Sequence, residues 1–387
     1  MPMSIREQRP AILGGTPTFP EGPPHWPLTD AEIQQALEAS FQTGTWGVYC
    51  GPKHEELEHL LQSHFHTQAA YTCASGTLAV EVALRTVGVT AGDEVILAGY
   101  EYEPNFLTIH HLGATPVLVD IQQENAVLNI EKMVDSLSPR TKAILATHLH
   151  GGLVDMPKLK QIATTHRIPL IEDFCQAVGG QIDGKPCGSF GDLSVLSFGG
   201  SKSLSAGRGG GILVSNSEYV QRCKLILNRG VQQWACLSEL QAAVLIPQLQ
   251  KLAQRTRTRW QAVQRLRDLL QNLLGLKMFE YRPHDLPAFY KVGFWFDETQ
   301  FGLTRSQFLK AARAEGIALS EGFRALHIGR SPKRYRSQHP LTIVEKASDS
   351  IVILHHPILL ADNPTLQKVA QALERIYDYR DEIQATL

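Results

Sequence analysis

The sequence predicts an α/β fold, a mostly parallel sheet with helices on both faces, followed by a smaller C-terminal α+β unit. Three observations carry this expectation. Short apolar runs recur between residues 69 and 214. Segments of helical periodicity separate most of them, as in Pro157-Lys158-Leu159-Lys160-Gln161-Ile162-Ala163. After Ser238 the rhythm changes to a long helical pattern and then to widely spaced strands and helices. Alternation of the first kind builds a sheet covered on both faces.

In chain order, residues 1–28 are rich in Pro and Gly (Gly14-Gly15-Thr16-Pro17, Pro23-Pro24, Pro27) and read as an extended arm lying over a surface. From Thr29-Asp30 a helix is predicted, with Ile33, Leu37 and Phe41 on one face. Strand-like runs follow at 70–73, 94–97, 116–119, 143–146, 168–171, 193–198 and 211–214. Ser238-Glu239-Leu240-Gln241 reads as a capping box that opens a long helix over 239–274, with Pro247 kinking it or lying near its first turns. Beyond it a strand is predicted at 290–296, a helix at 305–315, a strand at 351–354 and a terminal helix at 365–383. The division expected is an arm at 1–28, a large domain at 29–250 and a small domain at 251–387.

At 387 residues, 43% of them hydrophobic and 19% charged, the chain has the composition of a globular protein of two domains. A formal net charge of −1 supplies no basic field for nucleic acid. The nearest basic stretch, Pro332-Lys333-Arg334-Tyr335-Arg336, reads as a solvated loop, with contact to a phosphate-bearing partner as the alternative. The six cysteines (Cys50, Cys73, Cys175, Cys187, Cys223, Cys236) form no C-x-x-C pair and read as buried thiols of a reducing compartment. No leader pattern opens the chain and no apolar run reaches membrane-span length, so a cytoplasmic protein without a membrane or nucleic-acid partner is expected.

The chemistry concentrates at strand ends. Lys202 lies in the turn Gly199-Gly200-Ser201-Lys202-Ser203, directly after a buried strand. The run at 168–171 ends in Glu172-Asp173, which puts a carboxylate where α/β sheets bind ligands. Ser75-Gly76-Thr77 separates a strand from a helix, so hydroxyls and N–H groups converge at a helix N-terminus, a seat for phosphate. A Schiff-base-forming amine, a carboxylate and a phosphate cradle are together what pyridoxal phosphate requires of a protein.

Other patterns fail. The P-loop-like 179–185 lacks the final Ser/Thr, Pro186 standing in its place, and reads as a hairpin turn. His54 and His59 are five apart and would not share a helix face, so no metal is expected there. His148 and His150, two apart after a strand with no carboxylate or Cys partner evident, read as pocket lining rather than metal ligands. No Gly-x-Ser-x-Gly elbow supports a hydrolase.

Taken in order, Ser-Gly-Thr, the strand-end Asp and Ser-x-x-x-x-Lys resemble the DegT/DnrJ/EryC1/StrS aminotransferases. The likeness runs from about Leu13 to the C-terminus and is dense at 46–58, 73–77, 93–120, 148–155, 172–180 and 188–211. It implies the fold-type I pyridoxal-phosphate-dependent transferase fold, a mostly parallel seven-stranded sheet between helices plus a smaller C-terminal α+β domain. It further implies a ping-pong aminotransferase that moves an amino group from glutamate or glutamine to a keto-sugar or ketocyclitol. Lys202 would bind the cofactor covalently and then serve as base and acid. Asp173 would pair with the pyridine nitrogen, and Gln176 would lie near the 3′ oxygen. Ser75, Gly76, Thr77 and Ser197 would hold the phosphate. Tyr102 would stack on the ring, a core tyrosine on a strand-to-helix loop being the alternative. Asn228 would reach the cofactor phosphate of a second subunit in a homodimer with shared sites, against a helix C-cap asparagine. His327 and Trp46 would border the substrate.

The chain departs from that family in two places. Its segment 231–239 is shorter, and Glu103-Pro104-Asn105 replaces a run that is normally small and hydroxylated. Leu13-Gly14-Gly15-Thr16-Pro17 and 289–294 resemble the cyclitol and aminohydroxybenzoate branch. Two other functions are compatible with the fold: a sugar 3-dehydratase, whose members carry histidine in place of Lys202, and a non-catalytic binding protein.

Overall fold

The computed structural model describes residues 8–228 and 235–387. The large sheet takes its strands from β1 (Ala69–Cys73), β2 (Glu94–Ala98), β3 (Thr115–Val119), β4 (Thr141–Thr147) and β5 (Leu170–Asp173). After a separate two-stranded hairpin, β6 (Gln181–Ile182) and β7 (Lys185–Pro186), it is completed by β8 (Leu193–Ser197) and β9 (Gly210–Val214). The order is β1-β9-β8-β5-β4-β2-β3, and β9 runs antiparallel to both of its neighbours while the other pairings are parallel. β2 and β9 are buried at every residue, as a sheet covered on both faces requires. The hairpin turns through Asp183 and Gly184, both at positive φ, which is the backbone a two-residue hairpin loop demands.

A second sheet is antiparallel throughout, with order β10 (Leu276–Met278), β11 (Lys291–Phe296), β13 (Ile351–His355), β12 (Leu319–Glu321). Along β11 the side chains alternate: Val292, Phe294 and Phe296 enter the apolar core of this unit, and Lys291 and Trp295 face the other way. That core is closed by the helices Arg305–Ala314 and Asn363–Asp378. The arm is tied to it by polar contacts. Ala11 N–H and the Thr18 N–H and hydroxyl all donate to the buried Glu315 carboxylate, which also pairs with the buried Arg375.

Two helices differ from expectation. The stretch predicted as one long helix is two, Glu239–Gln250 and Leu252–Leu270, meeting at Lys251 four residues after Pro247, a residue that cannot donate to the helical ladder. The capping box at Ser238 and Gln241 is formed. The terminal helix likewise divides at Tyr379, into Asn363–Asp378 and Arg380–Thr386. Leu249 and Leu252 are buried within the chain. Exposed apolar side chains between residues 37 and 49 include Leu37, Phe41, Trp46, Val48 and Tyr49, with Phe41 76% and Tyr49 73% exposed. Among the described residues no helix is long and apolar enough to cross a membrane.

Candidate active site

A cavity of about 350 Å³ opens at the carboxyl ends of β1, β5 and β8. Its phosphate-sized corner is made by the turn after β1. Ser75 caps the helix Gly76–Thr86, its hydroxyl accepting from Leu78 N–H at 3.1 Å, while the first-turn N–H groups of Gly76 and Thr77 have no helical acceptor. Because β9 is antiparallel, its first residue Gly210 pairs with the last residues of both neighbours, Cys73 and Ser197. Only glycine fits there, since a Cβ on Gly210 would strike the Ser75 carbonyl, and one on Gly76 would lie 2.8 Å from Ser197 Cβ. The two glycines thus let the Ser75 and Ser197 hydroxyls approach one helix N-terminus, an arrangement suited to an anion.

The carboxylate end is set by β5. Asp173 is buried; its Oδ2 accepts from Asn105 Nδ2 at 2.9 Å and its Oδ1 from Cys175 N–H at 3.0 Å. A second carboxyl, Glu101, is buried beside it and reached by the same Asn105 amide at 3.4 Å. Burial, reinforced by the charge of Asp173, pushes the Glu101 carboxyl up to about 8. Its Oε1 accepts from Tyr102 N–H at 2.6 Å, and its Oε2 and the neighbouring Thr147 hydroxyl have no other partner.

The lysine end is fixed by parts of the chain far from it in sequence. Lys202 N–H donates to Gly199 O at 2.9 Å, and Trp26 Nε1–H of the arm donates to Lys202 O at 3.1 Å. His356 Nε2–H donates to Ser201 O at 3.0 Å, and the Ser201 hydroxyl meets Tyr290 OH at 2.8 Å. The Lys202 ammonium lies over the Tyr290 ring, 4.2 Å from its centre. Lys291 shares that ring at 5.2 Å, and burial together with the Lys202 charge draws its ammonium down to about 8.

Of the residues singled out from sequence, Ser75, Gly76, Thr77, Tyr102, Asp173, Gln176, Ser197 and Lys202 line this one cavity. Tyr102 is 44% exposed at its mouth and is not a core residue. Asn228, His327 and Trp46 are not brought into the cavity of this subunit. Asn228 is exposed at the C-cap of the helix Ser217–Leu227, its N–H donating to Lys224 O at 2.9 Å, with φ −95° rather than a left-handed conformation. Leu326 N–H is pinned to Gly99 O at 2.8 Å with Ala325 and Leu326 buried, and the His327 ring turns to Glu345 at 3.0 Å. Trp46 is 59% exposed in the turn after the first helix. Of the shortened segment, 231–234 lies outside the described residues, as do Arg229 and Gly230; Ala235 O accepts from Ala74 N–H at 2.8 Å, and Leu237 is buried against Gly209.

His148 corrects the sequence reading, since a carboxylate does face it. Register places β4 beside β5, and His148 Nε2–H donates to Glu172 at 3.2 Å while Nδ1 accepts from Val154 N–H. Cys187 is close by, yet Glu172 also takes the N–H groups of Gly188, Phe190 and Gly191, so the cluster's donors and acceptors are spent on folding the 186–191 loop. His150 does line the cavity. Sequence reasoning missed Asn105, Tyr290 and Lys291 as cavity residues, and Glu101, which is buried beside Asp173 outside the cavity lining. Asn105 belongs to the odd Glu103-Pro104-Asn105 run, and Tyr290 and Lys291 to the 289–294 segment of the family likeness, the signals that could have found them.

A profile of the DegT/DnrJ/EryC1/StrS aminotransferase family matches residues 27–374. The chain is 29% identical, over 97% of its length and 99% of the relative's, to L-glutamine:2-deoxy-scyllo-inosose aminotransferase of Streptoalloteichus tenebrarius. It is 28% identical over 96% of its length, and 98% of the relative's, to L-glutamine:scyllo-inosose aminotransferase of Streptomyces griseus. The crystal structure of 3-amino-5-hydroxybenzoic acid synthase superposes with a TM-score of 0.82 at 24% identity, covering 91% of this chain and 97% of that one. Fold and site therefore define a pyridoxal-phosphate-dependent aminotransferase. The chain belongs to the DegT/DnrJ/EryC1/StrS aminotransferase family. The cavity fits that cofactor, for the glycine-walled corner suits a phosphate, and a carboxylate and a lysine with no ion-pair partner among the described residues face the same space.

Proposed function

We propose that this enzyme transfers an amino group from L-glutamine to the ketone of a cyclitol, with Lys202 and Asp173 as its catalytic residues. The observation that carries this reading is the meeting of Lys202, Asp173 and the Ser75–Thr77 corner in one cavity. Pyridoxal phosphate, when bound, supplies the carbonyl that takes up the amino group and a ring that delocalises the charge left by proton removal. The Ser75 and Ser197 hydroxyls and the Gly76 and Thr77 N–H groups bind its phosphate. Asp173, oriented by Asn105 and Cys175 N–H, holds a proton on the ring nitrogen. Gln176 orients the ring's oxygen side, and Tyr102 packs on its face. Lys202 Nζ holds the cofactor at rest and moves the proton to and from the substrate carbon.

Glutamine as donor and a cyclitol as acceptor rest on the two inosose aminotransferases above and on the 13–17 and 289–294 segments. A homodimer is supported by the exposed Phe41, Trp46 and Tyr49 and by the position of Asn228 outside its own cavity, free to serve the neighbouring one. The arm at 1–28, a large domain at 29–250 and a small domain at 251–387 complete this reading. No disulfide joins the cysteines among the described residues, in keeping with a cytoplasmic enzyme.

The test supplies amino-15N-glutamine with scyllo-inosose, 2-deoxy-scyllo-inosose or a nucleotide-linked 4-keto-sugar and looks for labelled amine by mass spectrometry. Label is expected in an aminocyclitol. Label only in the nucleotide sugar would overturn the cyclitol assignment, and none in any product with the cofactor bound would overturn the transferase assignment.

A further inference from the structure

Lys291 is the first residue of β11, on the face turned away from the small unit's core and into the cavity. Half-buried, it has no carboxylate within ion-pair distance among the described residues, and the only group holding it is the Tyr290 ring it shares with Lys202. Two ammonium groups on one ring repel each other, so an arrangement of this kind is stabilised by an anion. A second unused donor lies beside them. Gly293 N–H donates to His150 O at 2.9 Å, which fastens β11 to the His150 loop. Tyr100 OH accepts from Phe323 N–H at 2.9 Å, so its own hydrogen goes to His150 Nε2 at 3.2 Å. His150 is then the Nδ1–H tautomer, and that buried Nδ1 makes no well-formed hydrogen bond among the described residues, the Gln176 side chain being the polar group beside it, although the residue lines the cavity. A buried donor left unmatched is costly, and two that converge on one space mark a ligand's acceptor.

We propose that Lys291, with His150 Nδ1–H beside it, seats the α-carboxylate of the amino donor. This rests on the transamination reading above. There the reacting carbon must lie within reach of Lys202 Nζ, and in an amino acid the α-carboxylate is bonded to that carbon. An anion held next to Lys202 is therefore that carboxylate. A cyclitol ketone offers only hydroxyls at this place, and both groups can donate to a hydroxyl in the second half of the reaction.

The test uses the cofactor-loaded enzyme and calorimetric binding of glutaramate, which is glutamine without its amino group, and of butyramide, which lacks the carboxylate as well. Wild type should prefer glutaramate by about 10- to 100-fold, the worth of one charge-assisted hydrogen bond. Lys291→Met should lose that preference, and Lys291→Arg should recover most of it; retained visible absorbance of the bound cofactor reports that each variant is folded. An unchanged preference in Lys291→Met overturns the assignment, as does an unchanged preference with a shifted cofactor spectrum, which would give the ammonium to the cofactor's own oxygen. Failure of glutamine turnover in wild type, with glutaramate binding intact and dependent on Lys291, would strike the donor reading and leave the carboxylate seat standing.

Discussion

Replacing Glu101 by glutamine isolates one member of the buried carboxyl pair, Glu101 and Asp173, that shares the Asn105 amide. Glu101 is buried and its carboxyl is raised from near 4.5 to about 8, by burial first and by the Asp173 charge second. Between those two values the folded chain keeps a proton that the unfolded chain releases. Its contribution to stability is therefore greatest below pH 4.5, falls as pH rises through the window, and levels off above pH 8. At about 1.4 kcal/mol per unit, the penalty is roughly 3 kcal/mol at pH 7. Glu101→Gln keeps an acceptor for Tyr102 N–H but cannot ionise, so it removes the penalty. With an unfolding entropy of about 2.1 cal/mol/K per residue, a chain of this size gains on the order of 1 °C in Tm per kcal/mol. Scanning calorimetry of cofactor-stripped wild type and Glu101→Gln at matched concentrations, from pH 5.5 to 8.5, should show the variant's Tm advantage widening by ~4 °C. Curves that stay parallel would mean that Glu101 is ionised in the fold and that its partner set has been misjudged.

Four further outcomes follow from the same geometry. Lys202→Ala should abolish transamination yet still bind pyridoxal phosphate, and borohydride reduction of wild type should label the peptide holding Lys202; a label elsewhere contradicts the assignment. Asp173→Asn should retain most of its cofactor but lose about a hundredfold or more in kcat, because the carboxylate acts on charge that develops during reaction; wild-type turnover would make the carboxylate structural. Mixing inactive Lys202→Ala with an inactive Asn228 variant should restore activity, since one site of the heterodimer carries both wild-type groups, and no recovery from confirmed heterodimers would confine Asn228 to its own subunit. Arg375→Met should cost about 3–5 kcal/mol in urea denaturation by leaving Glu315 charged and buried; an unchanged midpoint would show that the Thr18 and Ala11 donors suffice.

What could be read from sequence was what lies within a few residues of a strand end. Ser75, Gly76 and Thr77 follow β1, Asp173 closes β5 and Lys202 lies in the turn after β8, so local pattern alone found them, whereas Ser197 at the end of β8 came only from the family resemblance. What escaped depends on which strands are neighbours and on contacts across the two sheets. The Glu172 partner of His148 follows from β4 lying beside β5, which no local pattern encodes. Lys291 enters the cavity because β11 presents it there, and in sequence it is one lysine after an aromatic. The long helix failed as a prediction for a related reason. Periodicity continues through Lys251; Pro247 marks a kink in the sequence, and the backbone places the break four residues beyond it.

The Lys202 turn shows why arm, sheet and small unit depend on one another. Glycine and serine give the turn little stiffness of its own. Two of its carbonyls, those of Lys202 and Ser201, are held by Trp26 of the arm and His356 of the small unit. His356 can donate from Nε2 only while Nδ1 accepts, and the donor it accepts from is Arg259, a buried cation that meets the edge of the same network through the Trp26 ring. Burial and the Arg259 charge keep His356 neutral, at about 2, so this tautomer persists over the whole working range of pH. A mobile ammonium is thus positioned by three rigid groups that belong to other parts of the chain. The glycines remain free to accommodate the movement a proton-carrying lysine must make between its resting linkage and the substrate carbon.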